Sequence, residues 1–167
     1  MAIAAPVPIG KHHDVSAFDC SHADLVDWLK RRAMSNERTQ ASRTYVACDA
    51  ERVVGYYALA AGSLELRLAP GSVRRNMPAP IPAVVLARLA VDTQYQGLGL
   101  GAGLLQDAVL RSINAAQAIG ARVMLCHAID DQALAFYQHH GFRPSPAARL
   151  MVMLDLSKVP QHVTDRQ

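Results

Sequence analysis

The chain is short of aromatic residues, of charge and of cysteine, and each shortage narrows what it can be. Phenylalanine, tyrosine and tryptophan make up 5% of its 167 residues, too few for base stacking to carry recognition of a nucleic acid. Charged residues are 19% against 51% hydrophobic, which is not the composition of a disordered chain. The three cysteines, Cys20, Cys48 and Cys126, lack metal-ligand spacing and leave one over in any disulfide scheme, so a reducing cytoplasm is expected. The histidines include the pairs His12-His13 and His139-His140, but no third ligand has suitable spacing, and no metal is expected. No apolar run reaches the length of a membrane span. The apolar start is broken by Pro6, Pro8 and Gly10 and lacks a preceding basic segment, so no export signal is expected.

What is present suits a compact enzyme. The length allows one domain, 1–167, with a single sizeable core, and no repeat or linker divides it. The net charge of +3 tolerates a polyanionic partner without requiring one. Ser21 is placed to cap a helix in which Leu25, Trp28 and Leu29 form the apolar face while Asp24, Asp27, Lys30 and Arg31 stay wet. Residues 43–48 and 53–59 read as a hairpin about the polar turn 49–52. The stretch 62–82, with Pro70, Gly71, Pro78, Pro80 and Pro82, reads as loop with one short strand around Leu64 to Leu68. Ala83 to Val91 is a continuous apolar strand, suited to the centre of a sheet covered on both faces. A long helix to about Ala118, a strand at 122–128, a short helix around Tyr137 and a strand from Leu150 to Leu156 follow. The polar tail after about residue 157 is expected to fray. The expected class is α/β, a single mixed sheet with helices on both faces.

The stretch Gln96-Gly97-Leu98-Gly99-Leu100-Gly101 lies between the central strand and the long helix. Glycines permit unusual backbone angles and remove side chains, so several N–H groups can converge on one phosphate. The positive end of the helix dipole adds to the attraction. The stretch is not a P-loop, because Ala102-Gly103 stands where Lys and Ser/Thr are required. Nor is it a dinucleotide fingerprint, which needs the loop after a first strand and an acid closing the next. Taken alone, the loop fits an ordinary tight turn as well as a pyrophosphate site.

Its context resembles the GNAT N-acetyltransferases, which use acetyl-CoA. Gln96-x-x-Gly99-x-Gly101 matches that family's Gln/Arg-x-x-Gly-x-Gly/Ala motif. Ala133-Leu134-Ala135-Phe136-Tyr137-Gln138-His139-His140-Gly141-Phe142 resembles its Ala-x-x-x-Tyr-x-x-x-Gly-Phe signature. The resemblance implies that backbone from Leu98 to Ala102, with Gln96 and Gly97 leading in, holds the pyrophosphate of acetyl-CoA. It also implies that Leu89, Ala90 and Val91 pair with the pantetheine arm, an N–H of Leu89 or Val91 stabilising the oxyanion. Tyr137 is then the general acid for the departing thiolate. No carboxylate stands on residues 83–91, where many relatives place a base, so water or the substrate takes the amine proton. Asp130 replaces an asparagine common seven residues before the tyrosine, which puts a contact from that position to pantetheine in doubt. His127 reads as a core or rim histidine rather than a base.

Nearly the whole chain resembles one branch of this family, the toxins of bacterial toxin–antitoxin pairs that acetylate the α-amino group of aminoacyl-tRNA. The stretches that carry this include His13 to Cys20, Leu25 to Leu29, Ser42 to Val46, Gly55 to Leu59, Val73 to Pro78 and Leu86 to Asp92. The branch implies a small antitoxin with a DNA-binding ribbon-helix-helix part, and commonly a homodimer. Lys30, Arg31, Arg32, Arg74 and Arg75 are the basic clusters. On the residues alone they complement a helix dipole or are solvated; with the resemblance they become candidate tRNA contacts. Two other functions compete: acetylation of a small amine or protein N-terminus, and a non-catalytic acyl-CoA-binding module, which would not need Tyr137.

Overall fold

The computed structural model describes residues 2–159. Its elements in chain order are β1 (Val7–Pro8), α1 (Ala23–Arg31), α2 (Ala33–Thr39), β2 (Arg43–Asp49), β3 (Arg52–Leu64), α3 (Gly71–Arg74), β4 (Ile81–Val91), α4 (Leu100–Ile119), β5 (Val123–His127), α5 (Asp131–His139), β6 (Arg143–Pro144) and β7 (Met151–Asp155). Short 3-10 turns lie at Leu66–Leu68, Thr93–Tyr95 and Leu156–Lys158. The strands form one seven-stranded sheet in the order β1-β2-β3-β4-β5-β7-β6. β4 and β5 run parallel, whereas β1–β2, β2–β3, β5–β7 and β6–β7 are antiparallel. The sheet is therefore mixed, as expected. By compactness the chain divides into Met1–Ala60 with Ala87–Ala108, and Ala61–Leu86 with Val109–Gln167.

In the first unit, strand alternation sends neighbouring side chains to opposite faces, and Tyr56 and Tyr57, both fully buried, show the consequence. Tyr56 faces α1. Its hydroxyl donates to the Leu25 carbonyl at 2.6 Å, and its ring stacks on Trp28 at 5.9 Å and meets Phe18 edge-on at 5.6 Å. Ile9, Leu29, Ala33, Val46, Cys48, Val53 and Ala90 complete that core. Burying side chains of this size contributes roughly 1.5–3 kcal/mol each. Tyr57 faces α4 and donates to the Asp107 carboxylate, while its ring stacks on Tyr45 at 5.1 Å. Helices thus cover both faces of these strands.

Several local expectations need correction here. The N-cap of α1 is His22, with no side-chain cap bond, so Ser21 stands one residue outside the helix. β1 was unforeseen because Pro6 and Pro8 read as interruptions. It occupies the sheet edge, where a proline's missing N–H is tolerated. α2 was also unforeseen, since beyond Ala33 and Met34 its residues are polar. It is tied down by Glu37, which accepts from the Thr44 N–H at 3.0 Å.

In the second unit, β4 pairs with β5 from Ala83–Val123 to Leu86–Cys126, and β5 pairs with β7 from Val123–Asp155 to His127–Met151. Leu64, Ala69, Val73, Ile81, Ala83, Val123, Leu125, Met151 and Met153 form one core, so by alternation Met124 and Cys126 face the other way. Arg122 grips Asp155 with two bonds, at 3.0 and 3.2 Å. The proline-rich stretch differs from expectation. No strand runs from Leu64 to Leu68; β3 continues to Leu64, and a 3-10 turn and the single turn of α3 follow. Leu64 and Val73, buried at 1% and 2% exposure, pin both ends of this segment. β7 is one residue shorter than expected at each end, because Leu150 has φ +67° and Leu156 opens a 3-10 turn. Of the tail expected to fray, Ser157 and Lys158 belong to that turn, and residues 160–167 lie outside the described residues.

Candidate active site

In the first unit, the end of β4 is anchored before the glycine loop begins. Asp92, 1% exposed, accepts from the N–H groups of Gln94 at 2.9 Å and Asp19 at 3.1 Å. Its carboxylate lies 3.5 Å from the Arg52 guanidinium, which also donates to the Gln94 side chain at 3.2 Å. Thr93 N–H bonds to the Asp19 carbonyl at 2.9 Å, and Tyr95 donates to Asp49 at 2.8 Å. A buried carboxylate with several partners fixes its surroundings firmly. The loop therefore leaves a rigid post.

The loop itself turns at Gly97 and Gly99, with φ +79° and +81°, a region that side chains with a Cβ rarely adopt. No atom lies within 4 Å of where a Cβ would sit at either residue, so the backbone there borders open space. Leu98 is exposed, and the Gln96 side chain donates back to the Val91 carbonyl at 3.1 Å, tying loop to strand. Leu100, Gly101 and Ala102 form the first turn of α4, where N–H groups have no partner within the helix. The helix thus opens inside the glycine stretch itself, at Leu100. Gly55 on β3 lets this turn come close: a Cβ there would lie 2.9 Å from Leu104 Cδ1 and 3.2 Å from Leu100 Cδ2. The donor set and open backbone fit a pyrophosphate.

In the second unit, Tyr137 is held on α5, buried at 6% exposure. Its ring meets Phe136 at 5.3 Å and Phe142 at 5.6 Å. Its hydroxyl donates to Cys126 Sγ on β5. Burial raises the phenol pKa above its ordinary value, as do the charge of the Cys126 thiolate form and the hydrogen bond. Burial also pushes the Cys126 thiol up to about 11, with the phenol's hydrogen bond pulling the other way. Both groups are protonated at neutral pH, the state a proton donor needs. Asp130 caps α5, accepting from the Ala133 N–H at 2.8 Å, which explains an acidic residue at this position. His127 is exposed at the end of β5.

The basic candidates are all exposed. Lys30 and Arg31 end α1 and Arg32 is its C-cap, in the first unit; Arg74 ends α3 and Arg75 is its C-cap, in the second. Leu89, Ala90 and Val91 are the last three residues of β4, which continues five residues past Leu86, whereas β5 continues only one past Cys126. Among the described residues no cluster of histidine, cysteine or acid could hold a metal ion, and no helix is long and apolar enough to cross a membrane.

A family model described as an acetyltransferase (GNAT) domain matches residues 40–144. The chain belongs to the GNAT acetyltransferase family. A tRNA-acetylating toxin of Mycobacterium tuberculosis is 48% identical over 151 residues, covering 90% of this chain and 91% of the relative. Among solved structures, AtaT complexed with acetyl-methionyl-tRNAfMet matches with TM-score 0.86 and 26% identity, over 93% of this chain and 96% of AtaT. A tyrosine-to-phenylalanine mutant of AtaT, bound to the C-terminus of the antitoxin AtaR and to acetyl-CoA, matches with TM-score 0.79 and 25% identity, over 94% and 95% of the chains. This GNAT protein is an acetyl-CoA-dependent N-acetyltransferase.

Sequence reasoning missed the supports of the site. Gly55 was visible only as a glycine inside an apolar strand, a mark of close approach. The Tyr57–Asp107 pair and the Asp92–Arg52 network join residues 50 and 40 positions apart, and only the fold brings them together. A buried tyrosine ordinarily needs a partner for its hydroxyl, but nothing local names the partner.

Proposed function

We propose that this acetyltransferase is a toxin that moves the acetyl group of acetyl-CoA to the α-amino group of aminoacyl-tRNA and so blocks translation. The observation that carries the reading is the 48% identity, over nine-tenths of both chains, to a tRNA-acetylating toxin. The likeness to AtaT, solved with an acetylated methionyl-tRNA, supports it. A small antitoxin neutralises the protein, as the AtaT structure with AtaR suggests by likeness, and the antitoxin carries a DNA-binding ribbon-helix-helix part. The protein works in the cytoplasm as a homodimer, and 1–167 is one acetyltransferase domain. The family match, 40–144, runs through residues of both compact units.

Backbone N–H groups of Leu98 to Ala102 hold the pyrophosphate, with Gly97 and Gly99 setting the turn and Gln96 fastening it to β4. Leu89, Ala90 and Val91 offer backbone to the pantetheine arm, and an N–H of Leu89 or Val91 stabilises the oxyanion formed when the amine attacks the thioester carbonyl. As the carbon–sulfur bond breaks, the Tyr137 hydroxyl gives its proton to the thiolate and recovers one from water. The proton lost by the amine goes to water, since β4 carries no carboxylate within Ile81–Val91. Lys30, Arg31, Arg32, Arg74 and Arg75 attract the tRNA phosphates. In a cell-free translation system, protein with acetyl-CoA stops synthesis and Tyr137→Phe does not. Inhibition that needs no acetyl-CoA would overturn the proposal.

A further inference from the structure

Arg88 is the charged residue on β4, and its environment is unusual for an arginine. It is half-buried and lies on the same face of the strand as Ala90, whose methyl group belongs to the core around Phe18 and Tyr56. Its guanidinium lies over the Trp28 indole, 5.4 Å from the ring centre. That indole is itself stacked on the buried Tyr56 ring with an interplanar angle of 7°, and Tyr56 is tethered by its hydroxyl to Leu25. One guanidinium N–H donates to the Ala87 carbonyl at 2.8 Å. Among the described residues no carboxylate pairs with Arg88. A half-buried cation carries a desolvation cost that a π face and one carbonyl offset only in part. The Ala87 bond engages one of the five N–H donors of the guanidinium.

A planar guanidinium without a counter-ion is suited to bind an anion in two-point fashion, and phosphate fits it best. Its place in the chain says which phosphate. Arg88 immediately precedes Leu89, one of the two residues whose N–H the proposed function offers to the reacting carbonyl, and Trp28 precedes the exposed Lys30, Arg31 and Arg32 by two to four residues. We propose that Arg88 is a substrate-binding residue that grips a phosphodiester in the single-stranded 3′ end of the acceptor tRNA. By doing so it sets how far the α-amine reaches toward the thioester. The inference rests on the aminoacyl-tRNA reading above.

The test compares wild type, Arg88→Gln and Arg88→Lys in steady-state acetylation of aminoacyl-tRNA across a salt series, with acetyl-CoA Kd and Tm measured in parallel. Arg88→Gln is expected to raise KM for aminoacyl-tRNA by at least tenfold and leave acetyl-CoA Kd within twofold. It should also flatten the slope of log kcat/KM against log salt by about 0.7, the value of one single-strand phosphate contact. Arg88→Lys keeps the charge and the salt slope but recovers only part of KM, because an ammonium does not reproduce the fork. If Arg88→Gln does not fold, the lysine variant decides by KM, which should stay above wild type with acetyl-CoA Kd and Tm unchanged. Unchanged KM and slope would overturn the inference. So would a parallel loss of Tm and acetyl-CoA affinity in both variants, which would make Arg88 part of the Trp28 packing. If wild type acetylates no charged tRNA, the functional reading itself has failed.

Discussion

Replacing Tyr137 by phenylalanine removes one oxygen and little else, and the structure gives the size of each effect. The ring contacts at 5.3 Å to Phe136 and 5.6 Å to Phe142 survive, so no cavity opens. The lost hydrogen bond ran to Cys126 Sγ, a weak acceptor, and costs at most about 1 kcal/mol. For a chain of this length that is a fall in Tm of about 2–4 °C. A proton donor to a leaving group is worth about 10²–10⁴-fold in rate, or roughly 3–5 kcal/mol of barrier. The phenylalanine variant should therefore lose at least a hundredfold in kcat, with Tm nearly unchanged and acetyl-CoA Kd within about twofold. Labelled acetyl transfer, thermal melting and calorimetric titration measure the three quantities. A kcat within tenfold of wild type would refute the general-acid role; an equally large loss of acetyl-CoA affinity would instead mark Tyr137 as a binding residue.

Gly99→Ala places a Cβ at φ +81°, a strain of about 1–2 kcal/mol that turns the loop N–H groups. Acetyl-CoA Kd should rise about tenfold by titration, and an unchanged Kd would sink the loop's role. Gly55→Val drives a side chain against Leu104, already 2.9 Å from where the Cβ would sit. Overpacking of this kind costs about 1–3 kcal/mol, so Tm should drop by several degrees in a melting scan. Burial keeps the Tyr137 phenol protonated above its ordinary pKa. The donor form therefore persists through the neutral range, and its contribution to stability is present below about pH 10 and lost as pH climbs past it. Initial-rate kcat/KM should rise as the acceptor amine loses its proton and show no descending limb between pH 7 and 9.

The parts of the site that were legible in the sequence are those written in adjacent residues. The glycine spacing announced the turn and the start of α4, because positive φ and a missing Cβ are local needs. The run of apolar residues from Ala83 announced a strand buried on both faces, and the structure extends it only to Ile81. What the sequence hid is tertiary. Asp92 reads as an ordinary polar residue after a strand until the fold brings the Asp19 N–H, 73 positions away, to its carboxylate. Arg88 reads as a charge inside an apolar strand until α1 lays Trp28 beneath it. Helix α2 has too few apolar residues to show a period, and α3 is a single turn held by Val73 in a stretch that its prolines make look like plain loop.

The central claim is acetylation of the α-amine of aminoacyl-tRNA. The direct measurement incubates the protein with labelled acetyl-CoA and a pool of charged tRNA, with the same pool deacylated as a control and Tyr137→Phe alongside. The account predicts label on charged tRNA only, released with the amino acid when the ester is hydrolysed, and nearly absent with the variant. Label on deacylated tRNA, or none on any tRNA while acetyl-CoA still binds, would contradict it and point to another amine.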